Sequence, residues 1–581
     1  CGSGSFLIGA YQYLLDWHLK YYIENEPEKY AKGRNPKIYE TNSHLSEQVE
    51  ESQIPHYGLT ITEKKRILLK NIYGVDIDSQ AVEVTKLSLL LKVLEGESSE
   101  TLDNQYRLFH ERALPDLANN IKCGNSLIDP DFYDNLDPES ITEELQQKIN
   151  AFDWHAEFPE IFSGNNPGFD AVIGNPPYGA AFGDNEKRFL TAAYNCQSYQ
   201  LDSYLLFLER AISLLLHSYG VLGMIIPNPW LTNLSQDSAR RFIIERCSLK
   251  EVVHFKHKVF KKATVDTQIV ILQSKRQKGN TVTVRVIRDS GQTQDQFTSS
   301  EIVKHNQDEW VALNGDVINI FLSRKDKNLL AKVRQQGKTL DHYFKINVGI
   351  KPYQKGKGKP AQTREIVINR PYDATYAKDK TFRRYLRGGD IKRYFISPQE
   401  TRFISFGVWL AEPRPAANFD ASKKIFMRQT GDSLVAALDT SLLLCLNNMH
   451  VLVPKDSSMS TDYFLGIINS KLLNFYYHSI NPEVGEALAE VKKANVARLP
   501  VWAIRCDNPH DKTKHDEMVK LVDSMLNLHK RLSEAKVPDD KTRIQRQINA
   551  TDKQIDNLVY DLYGLTEEEI KIVEESGSTN S

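Results

Sequence analysis

Phe169-Asp170-Ala171-Val172-Ile173-Gly174-Asn175-Pro176-Pro177-Tyr178 is the stretch on which the fold turns. Phe169 to Ile173 is a short apolar run that predicts a buried strand. The run stops at Gly174, and an amide, two prolines and an aromatic ring follow. Proline has a fixed φ and no N–H, so it cannot continue a central strand. The chain therefore leaves its sheet at the carboxyl edge, where open α/β sheets bind ligands. Two consecutive prolines stiffen the backbone and leave their carbonyls as acceptors. Asn175 adds a side-chain carbonyl, and Tyr178 adds a flat apolar face. Such a corner accepts two hydrogen bonds from one planar NH2 group and stacks on a ring that carries it. An adenine amine, a cytosine amine and a glutamine amide all offer that group.

Around this corner, strands and helices alternate. Cys1-Gly2-Ser3-Gly4-Ser5 is a glycine-rich loop, and Leu7, Ala10, Tyr11, Leu14 and Leu15 continue it at helical spacing. Glycines let a backbone approach a ligand closely, and a helix N-terminus offers free N–H groups. Residues 21–66 are polar and Tyr-rich and read as an insertion, with a helix from Thr62 to Lys70. Ile72 to Asp78 is a strand ending in acids. Ser79 or Asp78 caps the next helix, Gln80 to Val93, whose expected apolar face is Val84, Leu87, Leu90 and Leu91. Asp76 sits nearer the strand tip, where a carboxylate accepts ribose hydroxyls. Ile121 to Leu127 is a third strand and turn, in which Asn125 either meets an adenine edge or stabilises the turn. Tyr204–Leu215 is an apolar helix, and Val221–Pro227, Glu251–Phe255 and Thr267–Leu272 are further strands. This alternation predicts a doubly wound α/β sheet.

The bulk numbers exclude other classes. A chain of 581 residues is too long for one core, so two to four domains are expected. A net charge of −1 leaves no global basic excess, so any nucleic-acid surface must be local. The six cysteines form no CxxC pair, which argues against a zinc site and a disulfide framework and fits a reducing cytoplasm. No apolar run approaches the ~20 residues of a membrane span, so no membrane partner is expected. The opening residues carry neither Met nor a basic n-region, and they look like a chain cut within a motif.

Taken in order, Cys1-Gly2-Ser3-Gly4, Gly74-Val75-Asp76-Ile77-Asp78, Cys123-Gly124-Asn125-Ser126-Leu127, Gly174-Asn175-Pro176-Pro177-Tyr178, Pro227-Asn228-Pro229-Trp230 and Val259-Phe260 form a set. The set resembles the adenine-specific DNA methyltransferases of type IIG restriction–modification enzymes, followed by a TaqI-type specificity domain. The resemblance implies a Rossmann-like sheet, S-adenosylmethionine as cofactor and double-stranded DNA as partner. By resemblance, Cys1, Gly2 and Gly4 line the cofactor pocket and Asp76 holds its ribose. Asn125 stands where relatives often carry an Asp that reads the cofactor adenine. Asn175 and the Pro176 carbonyl would bind the target amine, with Pro177 completing the catalytic corner. Tyr178 and Phe260 would sandwich the flipped base. Lys256, Lys258, Lys261 and Lys262 surround Phe260, a poor setting for a core. The resemblance also implies a nuclease domain upstream of residue 1.

Two other classes share parts of this pattern. Glutamine-amide methyltransferases of release factors carry the same corner but have no use for the long second half. A non-catalytic DNA-binding subunit would have no need of an intact Asn-Pro-Pro-Tyr corner.

In the second half, residues 351–394 carry thirteen Lys/Arg against four Asp/Glu, interleaved with aromatic rings. Within a neutral chain this excess predicts phosphate contact, by Lys351, Lys355, Lys357, Lys359, Arg383 and Arg384. Gly356-Lys357-Gly358-Lys359 reads as a mobile basic loop. Two runs, Met518 to Leu532 and Ile544 to Leu562, predict an antiparallel helical hairpin acting as a spacer. The expected organisation is a methyltransferase domain at 1–275, a connector at 276–335 with one alternating strand, Thr281–Ile287, a mixed α+β target-recognition domain at 336–505 and the hairpin at 506–581.

Overall fold

The computed structural model describes residues 2–578 apart from 3, 34, 42–55, 97–113, 198–200, 216–218, 258, 261–265, 288–299, 313–316, 457–458, 482–489, 503 and 505–507. Cys1, Lys258, Lys261 and Lys262 therefore lie outside the described residues. The chain divides into two compact units, Cys1–Val317 and Ile318–Ser581.

In the first unit, α1 (Ser5–Glu24), α2 (Ile61–Asn71), β1 (Gly74–Asp76), α3 (Ser79–Leu94) and β2 (Ile121–Cys123) come first. Then follow β3 (Ala171–Gly174), α4 (Ser203–Ser213), β4 (Val221–Pro227), α5 (Asp237–Arg246), β5 (Ser248–Phe255), β6 (Thr267–Gln273), β7 (Thr281–Ile287) and β8 (Glu301–Asn306). Strands β1 and β2 form a parallel pair. The other six make a mixed sheet in the order β8-β7-β5-β6-β4-β3. Within it β3–β4 and β5–β7 are parallel, and β4–β6, β5–β6 and β7–β8 are antiparallel. Where the sequence predicts a single doubly wound sheet, the parallel pair β1–β2 and the mixed six-stranded sheet are separate. Strands consecutive in the chain, β5 with β6 and β7 with β8, pair antiparallel, while β7 lies parallel beside β5.

The strand Thr281–Ile287, placed in a connector on sequence grounds, is β7 and lies hydrogen-bonded beside β5. Thr281–Ile287 and Glu301–Asn306 therefore belong to the sheet. The polar stretch 21–66 is also no mere insertion. Tyr22, Ile38, Leu59 and Ile61 are buried in one core with Tyr11, Ile67 and Leu89. The Tyr22 hydroxyl donates to Glu63 Oε1 at 2.5 Å, and Arg66 pairs with the same carboxylate.

Two burial expectations are corrected. Strand β3 is the edge of its sheet, so Ile173 is 41% exposed rather than buried. Helix α3 buries Val82, Thr85, Leu89 and Val93, whereas Val84, Leu87 and Leu91 face outward. That helix is apolar nearly all round, so spacing alone does not select its inner face.

The second unit has α6 (Arg324–Gln336), β9 (Phe344–Val348), β10 (Asp373–Ala374), β11 (Phe382–Leu386), β12 (Phe403–Ser405), β13 (Lys424–Arg428), β14 (Ala436–Asp439), β15 (Leu444–Cys445) and β16 (Met449–Pro454). Helices α7 (Thr461–Asn469), α8 (Lys471–Ile480), α9 (Pro509–Glu534), α10 (Pro538–Leu562) and α11 (Glu567–Ser578) complete it. An antiparallel sheet, β9-β16-β13-β14, is shared by two cores. Ile425 and Met427 enter one and Phe426 the other, the period of two that a strand imposes. The sheet β10-β12-β11-β15 closes the second core.

Helices α9 and α10 are no detached spacer. Met518, Met525, Ile544, Ile548 and Ile555 share a core with Leu329, Phe344 and Leu452. A Cβ on Gly466 of α7 would stand 2.5 Å from Met518 Sδ, so this close approach requires glycine.

Candidate active site

The site collects at the carboxyl ends of β1, β2, β3 and β4. Tyr73, just before β1, and Phe169, just before β3, have ring centroids 5.8 Å apart, and both contact Phe158. The two parallel pairs thus start side by side although they are separate sheets.

Gly2 and Gly4 adopt the left-handed region, at φ 54° and 77°, immediately before α1. That conformation disfavours any residue with a Cβ. The Gly2 amide donates to Asp76 Oδ2 at 2.6 Å, and Thr85 of α3 donates to the Gly2 carbonyl at 3.1 Å. A Cβ on Gly4 would come within 3.0 Å of Thr85 Cγ2, whereas one on Gly2 would meet nothing within 4 Å. The loop is therefore pressed against α3 on one side and open on the other. Asp76 also accepts from the Asp78 amide at 3.0 Å, and Asp78 caps α3 through the Gln80 amide at 2.8 Å.

Asn125 performs the turn role. Its Oδ1 accepts from the Leu127 amide at 3.1 Å, and its own amide donates to the Asn150 carbonyl at 2.7 Å.

The corner after β3 is built from both sides. Asn175 is exposed, Pro176 buried and Tyr178 half-buried. The Tyr178 hydroxyl lies 3.0 Å from Asn175 Oδ1 and 3.1 Å from the Ile225 carbonyl of β4. Its single proton is directed at one of the two acceptors at a time, so the ring bridges the corner to the neighbouring strand. Burial pushes the Tyr178 hydroxyl up to about 12, so it stays a donor at neutral pH. The Tyr204 ring of α4 stands edge-on to Tyr178, with centroids 6.5 Å apart. Ser203, which no motif singles out, is fully buried beneath the corner. Its Oγ donates to the Pro177 carbonyl at 2.6 Å and accepts from the Ala180 amide at 3.1 Å. A run of Asp-Ser before an apolar stretch marks a helix start in sequence, and nothing more.

Phe260 is half-buried in the bend after β5, and among the described residues no ring contact joins it to Tyr178. The structure joins Gly2 to Asp76 and Asn175 to Tyr178, and the strands that carry them start beside each other at Tyr73 and Phe169.

In the second unit the basic loop is pinned rather than mobile. Gln362, 2% exposed, accepts from the Gln354 amide and donates to the carbonyls of Pro352 and Trp409 at 2.8 and 2.9 Å. Gly358 sits at φ 88°, and a Cβ there would stand 2.5 Å from the Trp409 carbonyl. Lys355, Lys357 and Lys359 are exposed on the outside of this frame, and Lys351 is half-buried. Arg384 is exposed. Arg383 is engaged within the protein, paired with Asp420 at 2.9 Å and donating to the Leu442 carbonyl at 3.1 Å. Among the described residues no helix is long and apolar enough to cross a membrane, and no group of three His, Cys, Asp or Glu is placed to hold a metal.

Comparison with known proteins follows the same division. The Eco57I restriction-modification methylase family matches residues 70–260, and the TaqI-like C-terminal specificity domain matches residues 383–501. The type II restriction enzyme and methyltransferase RM.Eco57I of Escherichia coli is 33% identical over 282 residues, 47% of this chain and 24% of that protein. RM.MjaORFECS2P of Methanocaldococcus jannaschii is 22% identical over 536 residues, 71% of this chain and 43% of that protein. The chain thus spans less than half the length of either relative. The type IIL restriction-modification enzyme MmeI, solved in complex with DNA, superposes with a TM-score of 0.53 at 11% identity, covering 99% of this chain and 71% of that one. At that identity the likeness is one of fold.

Proposed function

We propose that this chain, which joins an Eco57I-type restriction-modification methylase domain to a TaqI-like C-terminal specificity domain, methylates the N6 amine of adenine in double-stranded DNA at a specific site. The observation that carries the proposal is the corner itself. Asn175 Oδ1 is held by the Tyr178 hydroxyl at the tip of a parallel strand, beside two prolyl carbonyls.

The chemistry follows from the residue types. The exocyclic amine of adenine is a poor nucleophile because its lone pair is delocalised into the ring. Asn175 Oδ1 and the Pro176 carbonyl accept its two hydrogens and favour a pyramidal nitrogen with a localised lone pair. The same oxygens stabilise the positive charge that grows on nitrogen as the new bond forms, and they are oriented before the reaction begins. No side-chain nucleophile is required, and no cysteine follows the prolines as cytosine carbon-5 chemistry would need.

When bound, S-adenosylmethionine supplies the methyl group from its sulfonium. The residues at hand fit it. The Asp76 carboxylate is held against the glycine loop by the Gly2 amide, and the Gly2 loop is open on the outward side. Gly2, Gly4 and Asp76 would hold it, with Cys1 and Asn125 beside them, in a Rossmann-like arrangement. The target base must leave the duplex, at a cost of a few kcal/mol. Stacking on Tyr178 and Phe260 offsets this by ~1–3 kcal/mol per stacked base. Lys351, Lys355, Lys357, Lys359 and Arg384 contact phosphates. Arg383, committed to Asp420, must exchange that partner to join them.

Labelled S-adenosylmethionine and the intact protein test this. Label is expected in N6-methyladenine after digestion of the DNA. Label in N4-methylcytosine, in release factor or in neither overturns the proposal. Asn175→Ala should abolish transfer while calorimetry shows cofactor binding largely kept, because Asn175 meets the amine and not the cofactor. Near-normal turnover in that variant rules the mechanism out.

A further inference from the structure

Among the described residues, Ser203 is the one buried polar side chain that donates to the Pro177 carbonyl from outside the Asn-Pro-Pro-Tyr motif. It is the first helical residue of α4 and has no exposed surface. The corner itself offers two adjacent carbonyls, Pro176 and Pro177, and two residues without N–H groups. A backbone of that kind has few ways to fix which carbonyl turns toward a ligand. Ser203 Oγ supplies one. It donates to the Pro177 carbonyl at 2.6 Å and accepts from the Ala180 amide at 3.1 Å, so it ties the chain on both sides of Tyr178. Among the described residues nothing donates to the Pro176 carbonyl.

The position of Ser203 is itself fixed. Gln236, 4% exposed, donates to Asp202 Oδ2 at 2.6 Å and accepts from the Tyr204 hydroxyl at 2.9 Å. Both neighbours of Ser203 are thereby held to one buried amide. The Tyr204 ring in turn stands edge-on to Tyr178. The first turn of α4 is a rigid support set against the motif.

We infer that Ser203 is a positioning residue for methyl transfer: by engaging the Pro177 carbonyl it turns the Pro176 carbonyl, with Asn175 Oδ1, toward the target amine. This rests on the corner being the amine-binding site proposed above. A misplacement of about 1 Å costs on the order of 100-fold in rate. Loss of a packing residue alone would instead lower stability and binding together.

The test compares wild type, Ser203→Ala and Ser203→Thr in the intact protein. Ser203→Thr keeps the hydroxyl oxygen. Ser203→Cys keeps the volume with only a weak donor, and it serves if Ser203→Ala does not fold. Three quantities are read: hydrogen exchange across 176–182, affinity for S-adenosylmethionine and for DNA, and the single-turnover transfer rate at saturation. In Ser203→Ala the Ala180 amide should lose its protection and the transfer rate should fall about 10- to 100-fold. Both affinities should stay within about twofold, and Ser203→Thr should recover most of the rate. A wild-type rate in a folded Ser203→Ala overturns the inference, as does a loss of affinity that matches the loss of rate. If wild type methylates no DNA, the proposed function fails. Exchange then still decides the clamp, because unchanged protection at 176–182 overturns it and local loss upholds it.

Discussion

Under the proposed function Tyr178 would have two separable duties, a flat ring for a base and a hydroxyl that faces Asn175 Oδ1 and the Ile225 carbonyl. Tyr178→Phe removes only the second. Transfer should slow by about 3- to 10-fold, the value of one neutral hydrogen bond, while extrusion of a fluorescent base at the target position stays as in wild type. Tyr178→Ala removes both and should weaken the extruded state by about 1–3 kcal/mol. A Tyr178→Phe enzyme with full single-turnover rate would show that the hydroxyl orients nothing. In the second unit, Asp556 of α10 is 2% exposed, and its carboxylate accepts from the Lys471 amide at 2.9 Å. Burial raises its carboxyl to about 6. The folded state thus binds a proton that the unfolded state has released, so stability falls as pH rises from about 4 to 6 and is flat above. Asp556→Asn keeps an acceptor for the Lys471 amide and removes the buried charge. Denaturant unfolding at pH 7.5 should show a gain on the order of 2 kcal/mol that vanishes near pH 4. An equal change at both pH values would place the effect in packing instead.

At the scale of elements, the loop 352–362 is instructive. Its lysines read as a flexible basic segment because glycines alternate with them. Gln362 instead anchors it through three backbone partners, and Gly358 is there to pass the Trp409 carbonyl. Charge and frame therefore separate experimentally. Replacing Lys351, Lys355, Lys357 and Lys359 with Gln should weaken DNA binding and flatten its salt dependence, by about 0.9 in log–log slope per lost phosphate contact. Gln362→Ala leaves every charge in place and should weaken binding while the slope stays. A salt titration that gives the lysine variant an unchanged slope shows the loop to be a solvated face. Helix α3 makes the complementary point, since both of its faces are apolar and only packing shows which one is buried.

At the scale of the molecule, the chain divides between Val317 and Ile318. Helices α9 and α10 supply part of the core beneath the antiparallel sheet of the second unit. A fragment of 318–581 should therefore unfold in one cooperative transition, whereas 318–505 should not fold. Calorimetry of the two fragments checks this, and a cooperative transition in 318–505 would return the helices to the status of an appendage.

The sequence by itself determined what is local. Asn175, the prolines and Tyr178 announce a corner because proline chemistry ends a strand, whatever surrounds it. Asp78 announces a cap and Gly2 and Gly4 a glycine-rich loop running into a helix for equally local reasons, and the structure shows both. Strand Thr281–Ile287 was legible to the residue, yet its partner β5 was not, because pairing joins segments that sequence spacing does not relate. The same limit hid Ser203, Gln362 and Gly466. Each looks ordinary in its own segment and takes its meaning from a carbonyl or side chain elsewhere in the fold. Only the tertiary structure decides which of two neighbouring carbonyls is engaged, because a hydrogen bond across 26 residues depends on where α4 packs.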